Sequence, residues 1–292
     1  MSNGQNTGGL VLRGLWAAVR FLLPVEGPRA VRGTEGRAAA MGAAIPWLVP
    51  IGLLVGIAWT GMFRLTWRLF GETAYLRVIP ALAITLMECL LTGPYLVMGL
   101  ARTVHLLAGQ QPRHAEQDST APLSPVGTLT LALTVLCQWV LVVSIPDVQT
   151  WWPMSTDWRH YFNFMYPKAI FRPLVLAPIW GRWGLLLAAS IGRTTPHADA
   201  ETGAFATAMR PGLLLLHSLL PIALTAVYCS REHNRFIGVV MAMLVFAVTF
   251  VVAFLMGQRG GGQSRQSMFA AGQIAQLAFL AFYRAFWRSL HP

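Results

Sequence analysis

Residues 236–257 read FIGVVMAMLVFAVTFVVAFLMG, an apolar run without a charged side chain. A helix needs roughly 20 mostly apolar residues to cross the hydrocarbon core of a bilayer. Five more segments meet this requirement; they cover residues 41–63, 78–100, 126–146, 173–191 and 212–229. A seventh candidate, residues 267–287, carries Gln273, Gln276 and Arg284. The pattern predicts an all-α, polytopic integral membrane bundle of about six or seven transmembrane helices.

The composition of the chain agrees with lipid as its outer solvent. Of the 292 residues, 55% are hydrophobic and 11% are charged, whereas about 25% of the residues in a soluble globular protein are charged. The formal net charge of +11 fits basic loops and contact with anionic lipid. No folded basic domain or motif points to nucleic acid. We expect one membrane domain over residues 1–292, with the bilayer as its partner and its oligomeric state open.

The N-terminal segment, residues 1–37, precedes the first span and differs from a secretory signal. Its apolar run, residues 10–25, is broken by Arg13 and Arg20 and lacks a small-residue cleavage site. We expect a helix lying in the membrane interface, with the arginines among the headgroups. The side chains expected to face the acyl chains are Trp16, Phe21, Leu22 and Leu23. Residues 38–292 then form the transmembrane bundle.

Ionisable residues inside the spans are the first candidates for function, because a charge in hydrocarbon is expensive. Glu88 lies in the middle of the second span, and Arg182 lies inside the fourth. His217 in the fifth span fits a hydrogen-bonded packing role, and Glu88 is open to a similar interpretation. Arg182 needs an acceptor or a polar cavity.

Several segments occur in an order that resembles one known family. They are Val19-Arg20-Phe21-Leu22-Leu23-Pro24-Val25, Pro50-Ile51-Gly52-Leu53-Leu54-Val55-Gly56, Leu91-Thr92-Gly93 with Gly99-Leu100-Ala101 and Thr103, Ser124-Pro125-Val126-Gly127-Thr128, Pro178-Ile179-Trp180-Gly181-Arg182-Trp183, and Gly261-Gly262. Each segment is short, but together they extend over nearly the whole chain. The chain resembles the cobalamin synthase family, the adenosylcobinamide-GDP ribazoletransferases, which join adenosylcobinamide-GDP and α-ribazole late in cobalamin biosynthesis. The resemblance implies a bacterial inner (cytoplasmic) membrane location.

The acidic residues of the family's motifs are replaced in this chain. The family signature reads Leu-Asp-Gly-Leu-Ala-Asp-Thr-Ala-Asp-Gly, and its aspartates are expected to hold Mg²⁺ at the substrate phosphates. Carboxylates at i, i+4 and i+7 lie on one helical face and can converge on a metal. The residues at the seven acidic positions here are Met98, Arg102, His105, Leu123, Gln266, Gln273 and Gln276.

The resemblance therefore implies a family member whose Mg²⁺ site is lost, that is, a pseudoenzyme. No catalytic residue and no metal ligand is assigned on this interpretation. A corrinoid or a nucleotide remains a candidate ligand, because arginine can bind phosphate bidentately. The candidate ligand-binding residues are Glu88, Gly99, Arg102, His105, Arg182, Gln266 and Gln273.

Two other interpretations stay open. The chain could be an active, Mg²⁺-dependent ribazoletransferase with relocated ligands, for which Glu88 and His105 are the nearby candidates. These two could share a site only if the helix breaks near Gly93-Pro94, because a straight helix separates them by about 25 Å. The chain could also be a small transporter subunit, on account of its charges inside spans. We expect the end of the second span, residues 181–183 and the last helix to surround one polar cavity.

Overall fold

The computed structural model describes residues 7–22, 34–70, 77–91, 95–108, 122–145, 170–229 and 236–286. Over these residues the chain is helical, which confirms the predicted all-α fold. The helices, in chain order, are α1 (Thr7–Leu22), α2 (Thr34–Phe70), α3 (Val78–Leu91), α4 (Tyr95–Ala108), α5 (Pro125–Val143), α6 (Phe171–Ser190), α7 (Ala200–Ala208), α8 (Pro211–Cys229), α9 (Ile237–Arg259) and α10 (Arg265–Ala285).

Five of these helices are long and apolar enough to cross a membrane: α2, α5, α6, α8 and α9. The pair α3 and α4 qualifies as a sixth span when its two helices are taken together, but they are bent by 80° relative to each other. The predicted second span, residues 78–100, therefore corresponds to this bent pair of helices and not to one straight helix. Proline disfavours helical backbone at the residue before it, so Pro94 gives a physical reason for two helices here.

The helix α10, which covers the seventh candidate span, lies inside the bundle. It packs against α4, α6 and α9, and most of its side chains are buried. Small residues let α6 and α10 approach closely: a Cβ built on Gly184 would lie 2.9 Å from the Ala271 carbonyl oxygen, and one on Gly272 would lie 2.6 Å from that of Gly181. Such close contacts between backbones are a common means of helix association in membranes.

A glycine turn joins α9 to α10 and fixes where α10 begins. Gly261 and Gly262 have φ values of 68° and 133°, in the region that side chains rarely adopt. A Cβ on Gly262 would also lie 2.7 Å from the Thr195 backbone nitrogen. Ser264 then caps α10 through a capping box with Ser267.

The first helix packs against the bundle more closely than the sequence predicts. Leu12 is 67% exposed and Trp16 is 43% exposed, as a helix facing lipid on one side requires. Phe21 and Leu22 are buried instead, and the ring of Phe21 stacks on that of Phe205 with centroids 4.7 Å apart. The expectation that Phe21 and Leu22 face the acyl chains was therefore wrong, while Leu23 lies outside the described residues.

Candidate functional site

Glu88 lies on α3 and is buried inside the bundle, with 1% of its surface exposed. Its carboxylate accepts hydrogen bonds from Gln276 Nε2, at 2.9 Å to Oε1 and 3.1 Å to Oε2. It also accepts a hydrogen bond from Gln138 Nε2 on α5. A carboxylate in a membrane interior needs such partners, because water does not solvate it there.

Arg182 lies near the middle of α6 and is completely buried. Its Nη1 atom lies 3.7 Å from Glu88 Oε1, which makes an ion pair within the bundle. The same atom donates a hydrogen bond to Gln276 Oε1 at 3.3 Å. Gly181 leaves room for this contact, since a Cβ there would lie 2.9 Å from Gln276 Oε1. Arg182 thus has the acceptor that the sequence required.

Gln273 and Gln138 extend this arrangement across the bundle. The Gln273 Nε2 atom donates to Gln138 Oε1 at 3.0 Å, and Gln276 Nε2 lies 3.3 Å from the same oxygen. All these side chains are buried. We call the set the interior cluster; it consists of Glu88, Gln138, Arg182, Gln273 and Gln276.

Gln138 was not among the candidate residues predicted from the sequence. Its signal was available, because an amide inside the apolar run of α5 has to find a hydrogen-bonding partner within the protein. What the sequence could not show is that four helices, α3, α5, α6 and α10, bring their polar side chains to one place. The interior cluster holds these helices together.

The signature positions lie on α4, beyond the bend from α3. Met98, Arg102 and His105 are half-buried there, at spacings of four and three residues. The Nδ1 atom of His105 accepts a hydrogen bond from the Ser124 backbone nitrogen at 3.1 Å. A neutral His105 therefore carries its proton on Nε2.

The start of α5 completes this region. Ser124 caps α5, and Leu123 precedes it and is half-buried. A Cβ on Gly127 would lie 3.2 Å from His105 Cβ and 3.3 Å from Leu123 Cδ2, so α4 and α5 are in close contact. We call the set of Met98, Arg102, His105 and Leu123 the α4 face.

The last helix passes beside both regions. Near its start, a Cβ built on Gly99 of α4 would lie 3.0 Å from the Gln266 carbonyl oxygen. About two turns further along, Gln273 and Gln276 belong to the interior cluster. Two of the segments predicted to lie together, on α4 and α6, thus each pack against the third, on α10. That they surround one polar cavity stays a prediction.

The family model for cobalamin-5-phosphate synthase matches residues 14–283, which is nearly the whole chain. The chain belongs to the cobalamin synthase family. A search of curated proteins and a search of solved structures found no match. Membership supports a cobalamin synthase-like role in cobalamin biosynthesis, carried out by an integral membrane protein.

The side chains on the α4 face do not fit the Mg²⁺ that the family implies. They offer a thioether, a guanidinium, an imidazole and an aliphatic group, while Mg²⁺ prefers carboxylate and other oxygen ligands. Gln266, Gln273 and Gln276 offer neutral amide oxygens only. In the described part of the chain, no group of three or more His, Cys, Asp or Glu residues could hold a metal ion.

Proposed function

We propose that this member of the cobalamin synthase family is a membrane-bound binding or scaffold protein without ribazoletransferase activity. The observation that carries the proposal is the chemistry of the α4 face. Arg102 places a positive charge between Met98 and His105, where the resemblance implies three aspartates. A divalent cation needs anionic oxygen at such positions, and a guanidinium repels it.

The state of Glu88 supports the same proposal. It is the one acid within the spans, and it would be the natural replacement for a lost metal ligand. Its carboxylate is already paired with Arg182 and hydrogen-bonded to Gln138 and Gln276. Recruiting Glu88 to a metal would leave the charge of Arg182 uncompensated inside the bundle, which is strongly unfavourable.

Ligand binding can persist without the metal. Arg102 is half-buried and supplies a planar set of donors that suits a phosphate group. In the neutral form, His105 adds a donor at Nε2 on the same face of α4. The proposed ligand is therefore a phosphate-bearing corrinoid or a nucleotide, bound at a bacterial inner membrane.

The test is a transferase assay on the purified protein in liposomes. The reaction contains Mg²⁺, adenosylcobinamide-GDP and α-ribazole, and GMP release is followed beside an active family enzyme as the control. We expect no GMP release above the protein-free background. Clear turnover would overturn the proposal. Binding of adenosylcobinamide-GDP is measured on the same liposomes, with Arg102→Gln as the variant expected to weaken it.

The break between α3 and α4 favours one second candidate, an active transferase with relocated ligands. Such an enzyme needs Glu88 and His105 in one site, and the 80° bend meets the condition that the helix is not straight. Glu88→Gln distinguishes the two functions in the same assay. It abolishes GMP release if Glu88 holds the metal, and it changes nothing if there is no turnover to abolish.

A further inference from the structure

One edge of the Arg182 guanidinium has no protein partner among the described residues. Its Nη1 atom is directed to Glu88 and Gln276, but its Nε and Nη2 atoms find no hydrogen-bond acceptor among the residues that the structure describes. The side chain is nevertheless completely buried. The Oε1 atom of Gln273, in the same cluster, also lacks a hydrogen-bond donor in the described part of the chain.

The two unpartnered nitrogen atoms form a geometric unit. In a planar guanidinium, the Nε–H and one Nη2–H bond point from the same edge, side by side, and present a fork to acceptor oxygens. Buried polar groups in native proteins are almost always hydrogen-bonded, to protein or to ordered water. An unoccupied guanidinium fork in a membrane interior would be an exceptional arrangement.

The charges of the interior cluster select the kind of occupant. Glu88 and Arg182 carry opposite charges 3.7 Å apart, so the pair is already balanced. An anion at the free edge would add an uncompensated negative charge beside Glu88 inside the bilayer. An uncharged occupant avoids this penalty. At this edge, Arg182 requires an acceptor oxygen, and Gln273 Oε1 requires a donor hydrogen.

Water has both properties and is the smallest molecule that does. We propose that the interior cluster is a hydrated site, in which ordered water binds the Nε and Nη2 edge of Arg182 and hydrogen-bonds Gln273. Buried waters of this kind typically make about three hydrogen bonds to polar groups that lack a protein partner. The site is independent of the proposed loss of activity, because it rests only on the contacts of Arg182 and Gln273.

The proposal is tested by water-edited solid-state NMR on the full-length, ¹⁵N-labelled protein in lipid bilayers. Magnetisation is transferred from water protons, or separately from lipid acyl protons, to side-chain nitrogens. The internal reference is Trp180 Nε1, which lies on the same helix, is buried and donates to Thr225 at 3.0 Å. When magnetisation is transferred from water protons, we expect the Arg182 Nε signal to build up several times faster than the Trp180 Nε1 signal.

The Arg182 signal is assigned by its loss in Arg182→Lys, which keeps the positive charge but removes the guanidinium fork. If that variant does not fold, correlations through the Gly181-Arg182 backbone assign the signal in the unmodified protein. An Arg182 Nε signal that grows no faster from water than Trp180 Nε1 would overturn the proposal. An experimental structure showing Nε and Nη2 bonded to protein oxygens would overturn it as well.

Discussion

The interior cluster and the α4 face differ in the burial and hydrogen bonding of their polar side chains. In the interior cluster, five polar side chains from four helices are buried and bonded to one another. On the α4 face, the side chains are half-buried, and His105 accepts a hydrogen bond from the Ser124 backbone. The first region therefore links four helices through side chains, and we expect substitutions on the α4 face to disturb the fold less.

The two regions also differ in how strongly the surrounding helices constrain their side chains. Gln273 and Gln276 are hydrogen-bonded within the core, so their side chains are constrained by partners on α3, α5 and α6. Met98 and His105 are half-buried instead, and the Nδ1 atom of His105 accepts a hydrogen bond from the Ser124 backbone. Substitutions in the two regions should therefore differ most in their effect on the free energy of unfolding.

The largest effect is expected from removing one partner of the buried ion pair. Arg182→Met leaves Glu88 uncompensated in the bundle and should destabilise the protein by about 3–5 kcal/mol. Adding Glu88→Gln should recover most of that loss, because it removes the stranded charge. Unfolding in detergent, followed by tryptophan fluorescence, measures both. Arg210→Met, at an exposed arginine, is the control and should be close to neutral. Additive losses in the double variant would contradict the assignment.

A smaller loss is expected where α6 and α10 touch. Gly184→Ala places a Cβ 2.9 Å from both the Ala271 oxygen and Ala275 Cβ, and overpacking of this kind costs about 1–3 kcal/mol. Gly203→Ala on α7 is the matched control, because a Cβ there meets nothing within 4 Å. It should be neutral or slightly stabilising, since alanine favours helix. Equal effects at the two glycines would argue against the close packing of α6 on α10.

Moving the carboxylate from position 88 to position 276 should destabilise the protein less than Glu88→Gln or Gln276→Glu alone. In Glu88→Gln with Gln276→Glu, the new carboxylate takes the place of Gln276 Oε1, which already accepts from Arg182 Nη1 at 3.3 Å. We expect the double variant to lie within about 1.5 kcal/mol of the unmodified protein in the same unfolding assay, because one carboxylate still balances Arg182. Gln276→Glu alone should be less stable, since it places two carboxylates together.

The smallest effect on stability is expected on the α4 face, where the informative change is in binding. Met98→Asp, Arg102→Asp and His105→Asp together restore the acids that the family signature implies. The variant should remain folded and gain affinity for Mn²⁺, measured by calorimetry in detergent. Met98→Asn, Arg102→Asn and His105→Asn form the uncharged control and should bind no metal. A folded aspartate variant without Mn²⁺ affinity would show that this face does not form the family's metal site.

Much of the fold follows from local properties of the sequence. The apolar segments predicted the spans, because the thickness of the bilayer sets the length of a transmembrane helix. The break between α3 and α4 was harder to predict, because residues 78–100 form one apolar run and proline is tolerated within many membrane helices. Phe21 was assigned to lipid by its hydrophobicity alone, and only its contact with Phe205 shows that it packs inside the protein.

The sequence by itself determined that lipid surrounds this protein, that its fold is all-α, and which ionisable residues lie inside the spans. Each of these depends on residue type and on spacing along one helix, which local physics governs. Only the tertiary structure decided that Glu88 pairs with Arg182, 94 residues further along the chain, and that Gln138, Gln273 and Gln276 join them. Pairing of this kind depends on which helices are neighbours, and packing sets that arrangement across the whole chain.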